Sequence, residues 1–230
     1  MPAIHPPSRI ESLKELRTWE VFPKLAFNLP RLAVQDRGNG EPVMVVPGFS
    51  ASDSSTGVLR NYLRYLGYTV SGWGLGTNRG NVPELLEQLT QRVADYAQEQ
   101  NSPVRLIGWS LGGYISREIA RDRPDLVDRV ITLGSPVIGG PKYTAVAPFY
   151  RQMGFDVEEI AREVEARYDQ PLEVPVTAIY SRGDGVVAWK ACVDARSPNM
   201  KHVEVSGSHL SLGFSPGVLR IIAKRLRTTH

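Results

Sequence analysis

Cysteine is almost missing. Cys192 is the only one in 230 residues, so no internal disulfide is possible. The fold must hold by packing alone, and a reducing, cytoplasmic setting is the expectation. Cys192 has neither a local base nor a glycine turn around it, so it reads as a small buried hydrophobe and not as a nucleophile. Long apolar runs are also missing. None approaches the roughly 18 residues of a membrane-spanning helix. The opening, MPAIHPPSRIES, lacks a basic start followed by an apolar stretch, so no secretory signal is expected. Charge is nearly balanced, with 27 Lys plus Arg against 24 Asp plus Glu and a net charge of +3. The basic residues are scattered, which leaves no footprint for nucleic acid. Internal repeats and low-complexity tracts are absent too.

What is there is globular. Hydrophobic residues make up 42% of the chain and charged residues 22%, which excludes a disordered tail or a coiled coil. A chain of this size buries roughly 70% of its unfolded surface and needs no staple. No linker divides it, so residues 1–230 are expected to form a single domain.

From residue 42 the pattern becomes regular. Short apolar runs at 43–46, 68–73, 104–109, 127–134, 174–181 and 200–205 read as strands. They alternate with stretches of helical period, such as Leu85, Leu86, Leu89, Val93 and Tyr96 after Pro83. This is the pattern of an α/β fold, a mostly parallel central sheet flanked by helices. Two segments fall outside the rhythm. Residues 1–32 form an N-terminal arm. Ser8 with Glu11 predicts a capped helix running to Glu20, with Ile10, Leu13 and Leu16 near one face. Pro23 and Pro30 break the apolar stretch 19–32, so the arm is expected to pack on the domain edge, with covering a pocket as the alternative. Trp19, Phe22 and Phe27 lie near Arg17 and Lys24, but those prolines argue against a long amphipathic membrane anchor. The other segment, 135–172, is too long for a plain connection. It reads as a small cap containing a charged helix near 157–168.

Gly108-Trp109-Ser110-Leu111-Gly112 matches G-x-S-x-G. So does Gly213-Phe214-Ser215-Pro216-Gly217, and only context separates them. The chemistry needs a strand, a sharp turn with serine at its tip, and then a helix. Ser110 follows the strand pattern Val104–Ile107 and precedes a helix. Ser215 follows no strand and stands at a helix entrance as a cap, the role that Ser110 would also play if it were not a nucleophile. A serine hydroxyl needs a base. His5 precedes the fold, His230 ends the chain and His202 starts a strand. His209 alone lies beyond the carboxyl end of a strand, where ligand chemistry gathers in open parallel sheets. The acid should follow the preceding strand. Asp184, in Arg182-Gly183-Asp184-Gly185, is placed so, with Asp194 the runner-up. Two backbone N–H groups should hold an oxyanion. One is that of Leu111, next to the nucleophile. The other comes from the loop after the first core strand and is assigned to Phe49, with Ser50 as the alternative.

VVPGF at 45–49, GWSLGG at 108–113, RGDGVV at 182–187 and GSHLSLG at 207–213 resemble the α/β-hydrolase superfamily, in its bacterial esterase/lipase branch. The resemblance spans about residues 40–227. It implies an α/β-hydrolase fold and ester hydrolysis through an acyl-enzyme, with no metal or organic cofactor. It maps nucleophile, acid and base onto Ser110, Asp184 and His209, and the oxyanion amides onto Phe49 and Leu111. Many members carry His-Gly where this chain has Pro47-Gly48; the backbone amide survives that change. GWGLGTNRG at 72–80 looks like a segment common in such proteins and reads either as part of a pocket rim or as a glycine-rich connector.

The expected substrate is a small-molecule carboxylic ester with a short to medium apolar acyl chain. Its pocket is assigned to Trp109, Ser50, Val137, Ile138, Val146, Phe149 and Tyr150, together with Phe49 and Leu111. Thioesterase, acyltransferase and amidase chemistry use the same apparatus, and a non-catalytic receptor on this fold is the distant alternative. The elbow assignment makes a direct forecast. Ser110→Ala and His209→Ala should each remove orders of magnitude of ester turnover, while Ser215→Ala leaves it nearly intact. Equal losses at both serines would show the wrong elbow was chosen.

Overall fold

In the computed structural model, which describes residues 4–227, the apolar runs lie side by side in one sheet. Its strands are β1 (Pro42–Val46), β2 (Thr69–Gly72), β3 (Val104–Trp109), β4 (Val127–Leu133), β5 (Val176–Ser181) and β6 (Met200–Val205). Their order is β2-β1-β3-β4-β5-β6, and every neighbouring pair is parallel. The chain runs outward from β1 to β2, then returns past β1 to β3. The strand order therefore reverses between β1 and β3, and a crevice opens there beyond the strand ends.

Strands covered on both faces must be apolar throughout. Val43, Met44, Val45 and Val46 of β1, and Leu106 and Ile107 of β3, are all buried. α4 (Val82–Gln100) and α5 (Leu111–Asp122) cover one face, packing Leu89, Val93, Ile115 and Ile119 against Met44, Leu106 and Val130. α3 (Gly57–Tyr65) and α8 (Pro216–Arg227) cover the other, packing Leu59, Leu63, Leu219 and Ile222 against Val43, Ile107 and Ile131.

The arm departs from expectation. Its first helix, α1 (Arg9–Leu13), has the capping box, with the Ser8 N–H on Glu11 Oε2 at 2.7 Å and the Glu11 N–H on Ser8 Oγ at 3.3 Å. The chain then tightens into a 3₁₀ stretch, Lys14–Glu20, and reopens as the continuous helix α2 (Val21–Ala33). The prolines do not break α2. Pro23 lies in the first turn, where an N–H has no helical partner anyway, and Pro30 removes only one bond from the interior. Packing of Val21 and Leu32, both buried, and contact with α8 hold it. Ile10, Leu13 and Leu16 face solvent, as do Trp19 and Phe27. No helix among the described residues is long and apolar enough to cross a membrane.

Between β4 and β5 the chain forms α6 (Ala147–Gln152) and α7 (Val157–Tyr168), the charged helix expected there. Asp156 caps α7, accepting from the N–H groups of Glu158 at 2.9 Å and Glu159 at 3.0 Å. Arg167 of α7 ties it to α5 through Glu118 and through Asp122 at 2.7 Å.

Beneath the sheet, Arg117 of α5 meets Asp194 at 2.5 Å, and both side chains are about fully buried, at 1% and 0% exposure. Burial alone would raise the Asp194 carboxyl, but hydrogen bonds from Arg117 and Ser197 hold it well below the usual carboxylate range. Removing one partner leaves a buried charge uncompensated. Asp194→Ala should therefore cost about 3–5 kcal/mol in urea unfolding.

Candidate active site

Ser110 joins β3 to α5 with φ +53° and ψ −122°. A side chain rarely adopts that backbone. Its N–H donates to the Leu133 carbonyl at 2.8 Å, which pins the turn to β4. The glycines around it are needed for closeness. A Cβ at Gly108 would collide with the Gly113 backbone, and one at Gly112 with the Val46 carbonyl. The Ser110 side chain makes no cap bond to α5, and its φ is far from the extended value of a capping residue, so the capping alternative falls. Ser215 has no positive φ and lies just before α8, where its carbonyl accepts from Leu219.

His209 and Asp184 stand on the loops beyond β6 and β5. His209 Nδ1 and Asp184 Oδ2 are 2.7 Å apart, and both side chains are buried. Asp184 Oδ1 accepts from the N–H groups of Val186 at 2.9 Å and Val187 at 2.7 Å, so the carboxylate cannot swing away. Burial by itself would lower the His209 imidazole. The Asp184 carboxylate beside it, with a smaller contribution from Glu15, outweighs that and raises it above the ordinary histidine value. The His209 ring lies 6.4 Å from that of Trp109, the residue before Ser110. His202 stays on β6, its imidazole lowered by burial. His5 lies on the arm, and His230 lies outside the described residues. Asp194 is engaged with Arg117 instead of a histidine. Cys192 is buried, and burial pushes its thiol up, away from nucleophilic use.

The loop after β1 passes close to the serine. A Cβ at Gly48 would stand 3.1 Å from Ser110 Cβ. Among the described residues, the N–H groups of Phe49 and Leu111 have no hydrogen-bond partner, whereas that of Ser50 donates to the Asn78 carbonyl at 2.7 Å. Ser50, the alternative donor, is thus committed elsewhere. Asn78 is fully buried. Its Nδ2 donates to the Pro47 carbonyl at 3.1 Å, its N–H to Ala51 at 2.8 Å, and its Oδ1 accepts from Gly80 at 3.1 Å. The GWGLGTNRG segment therefore both braces this loop and borders the site. Asn78 was not singled out from the sequence, where a lone asparagine in a glycine-rich run reads as turn chemistry.

Ser110 and Leu111 open into a cavity of about 590 Å³. Its walls are mainly apolar, from Phe49, Leu86, Tyr114, Val146, Tyr150, Phe155, Ile160 and Val164, with Asn81, Glu163 and Arg167 adding polar groups. Of the expected pocket residues, Phe49, Leu111, Val146 and Tyr150 line it, and Trp109, Ser50, Val137, Ile138 and Phe149 are not among its lining residues. The Trp109 ring turns toward Phe214, 5.8 Å between centroids, and against Gly213. Val137 is buried, and Val137 and Ile138 bond through their N–H groups to the Ala191 carbonyl. Phe149 is 49% exposed, edge-on to Phe49. Among the described residues no cluster of three or more His, Cys, Asp or Glu is placed to hold a metal ion.

The arm also reaches this end of the sheet. The Glu15 carboxylate accepts from the N–H groups of Gly185 at 2.8 Å, His209 at 2.7 Å and Leu210 at 2.9 Å. Nothing in the sequence marked Glu15, since its partners are backbone groups some two hundred residues away.

No protein-family model matches the sequence, and no curated protein matches it. Solved structures do. A monoacylglycerol lipase from Paleococcus ferrophilus shares 17% identity, with 81% of this chain and 95% of that chain covered and a TM-score of 0.61. A structure from a study of the metagenome-derived lipolytic enzymes LipS and LipT shares 15% identity, over 84% of this chain and 94% of that one, with a TM-score of 0.64. The N-formylmaleamic acid deformylase Nfo from Pseudomonas putida S16 shares 15%, over 83% and 94%, with a TM-score of 0.56. With the parallel sheet and its covering helices, these likenesses define the class: the chain has the α/β-hydrolase fold.

The bracing by Asn78 is open to test. Asn78→Ala leaves the Gly80 N–H and the Pro47 carbonyl without that partner in a buried site. A loss of about 2 kcal/mol in urea unfolding is expected. An unchanged midpoint would show that the loop holds without it.

Proposed function

We propose that the protein is a serine hydrolase that cleaves small carboxylic esters through an acyl-enzyme. The observation that carries this reading is the buried His209–Asp184 pair at the same end of the parallel sheet as a serine held at positive φ on the wall of an apolar cavity. Activity at this fold lives in the site and not in the sheet, so the lipase and lipolytic-enzyme neighbours lend support without deciding the substrate.

In the proposed reaction His209 Nε2 takes the proton from Ser110 Oγ as the oxygen attacks the ester carbonyl carbon. Nδ1–H stays hydrogen-bonded to Asp184, which fixes the tautomer and stabilises the imidazolium. The free N–H groups of Phe49 and Leu111 receive the negative charge on the carbonyl oxygen. Collapse of the intermediate expels the alcohol, which takes the proton from His209. Water, deprotonated by His209, then attacks the acyl-serine, and the acid leaves as Ser110 regains its proton. The chain's own groups and water complete this cycle. The cavity walls favour an apolar acyl chain of short to medium length. One of the neighbours is a deformylase and the same apparatus serves thioesters and amides, so esters, thioesters and amides belong in one panel.

The test is fluorophosphonate labelling followed by peptide mapping, then p-nitrophenyl esters of increasing chain length. Stoichiometric labelling at Ser110 is expected. kcat/KM should rise up to about fourfold per methylene, from ~0.8 kcal/mol per buried CH₂, until the cavity fills. Because His209 must be neutral to act and its imidazole is raised, kcat/KM should fall on the acid side with a midpoint above about 6.5. No labelling and no turnover would favour a receptor instead of an enzyme.

A further inference from the structure

The N-terminal arm bears on the candidate site through one side chain. Glu15 is buried at 9% exposure although it sits on a stretch whose apolar neighbours Leu13 and Leu16 face solvent. A carboxylate buried so must be well supplied with donors. It is. Oε1 accepts from Gly185 and His209, and Oε2 from Leu210. Gly185 follows the proposed acid, and His209 is the proposed base. The carboxylate thus ties together the acid-bearing loop after β5 and the base-bearing loop after β6, which are also joined by Asp184–His209 and by the Ser181 Oγ bond to the Gly207 carbonyl at 2.6 Å.

Further contacts seat the arm. Ser12 Oγ donates to the Gly185 carbonyl at 2.8 Å, and Thr18 Oγ1 lies 2.9 Å from Ser208 Oγ. The Glu11 carbonyl presses on Gly185 where any Cβ would collide. These contacts anchor the backbone, whereas Glu15 alone brings charge. The charged groups facing His209 are Asp184 from the β5 loop and Glu15 from the arm. The neighbours from β4 and the segment before α8 are Gly134 and Leu212, with the Trp109 ring nearby, and all are uncharged.

We propose that Glu15 is a positioning residue for the His209–Asp184 pair, fixing the spacing of the two loops and adding negative potential at the imidazole. It touches no reacting atom and acts through His209. The proposal rests on the serine-hydrolase reading for its kinetic consequence, but its effect on His209 exists with or without turnover.

The experiment compares wild type, Glu15→Gln, Glu15→Asp and the double variant Ser12→Ala/Thr18→Val. Two readouts are taken: the pH profile of kcat/KM on a p-nitrophenyl ester, and the titration of the His209 Cε1–H by NMR, assigned with His209→Gln. Glu15→Gln keeps the shape but removes the charge and turns a donor toward backbone N–H groups. It should lower kcat/KM roughly ten- to a hundredfold, mostly in kcat, and move both the acid limb and the His209 titration to lower pH. Glu15→Asp keeps the charge on a shorter stem. It should lower kcat while leaving the acid limb nearer its wild-type position, and it serves alone if the Gln variant does not fold. The double variant loosens the arm without touching the charge and should leave the profile in place. An unmoved His209 titration in Glu15→Gln, or equal shifts in the double variant, overturns the proposal. A wild type that neither labels nor turns over overturns the hydrolase reading, and the NMR titration still decides for or against Glu15.

Discussion

The molecule turns on one strained bend. Ser110 at φ +53° holds a backbone that an L residue avoids, at a cost of order 1–3 kcal/mol. Such a bend survives only where its surroundings leave no alternative. Here β3 enters it from the middle of a sheet buried on both faces, and α5 leaves it packed against that sheet. The hydrogen bond from Ser110 to Leu133 closes it on one side and the Gly48 loop on the other. Because β1 and β3 are neighbours, the loops after them meet. The parallel direction of the two strands puts the N–H groups of Phe49 and Leu111, which have no hydrogen-bond partner among the described residues, at the same end of the sheet as the serine.

The electrostatics are arranged around His209. Two carboxylates face it in a buried place, and together they raise it despite the burial that would lower it. A raised folded-state value has a definite sign in linkage. The stability this residue contributes is fully present below the unfolded value of about 6.5 and is lost as pH rises through the folded value. The proposed base needs the opposite state, the neutral imidazole. At this residue acid strengthens the fold and silences the proposed chemistry, so its contribution to stability and its proposed working state lie on opposite sides of one titration.

Much of this was legible because buried parallel strands write themselves as apolar runs. β3 and β6 fall where their patterns place them, at Val104–Trp109 and Met200–Val205, and α7 runs over the same Val157–Tyr168 that its charged period marks. That Ser110, Asp184 and His209 each follow a strand was legible, because an apolar run that ends in such a turn is itself a signal. What escaped was held by distant backbone. Glu15 and Asn78 satisfy N–H and carbonyl groups whose positions no local period encodes. α2 escaped because proline reads as a break, while tertiary contact with α8 outweighs the one bond Pro30 removes. Five of the expected pocket residues do not line the cavity, and for Trp109 the reason is visible: its ring packs on Phe214 and Gly213, although it is the residue next to Ser110.

The bonds from Glu15 to Gly185 and His209 span 170 and 194 positions in the chain. Residues 9–20 leave the ribosome ahead of the loops after β5 and β6, so their bonds to those loops wait until the loops have been made. The sheet can assemble around β1, β3 and β4 well before that. Closing a loop of this length comes late in folding, because its entropy must be met before its contacts reward it. A nascent or half-folded chain therefore holds the Ser110 bend without the Glu15 bonds to the loops after β5 and β6, and the last stretch to dock is synthesised before the loops it joins.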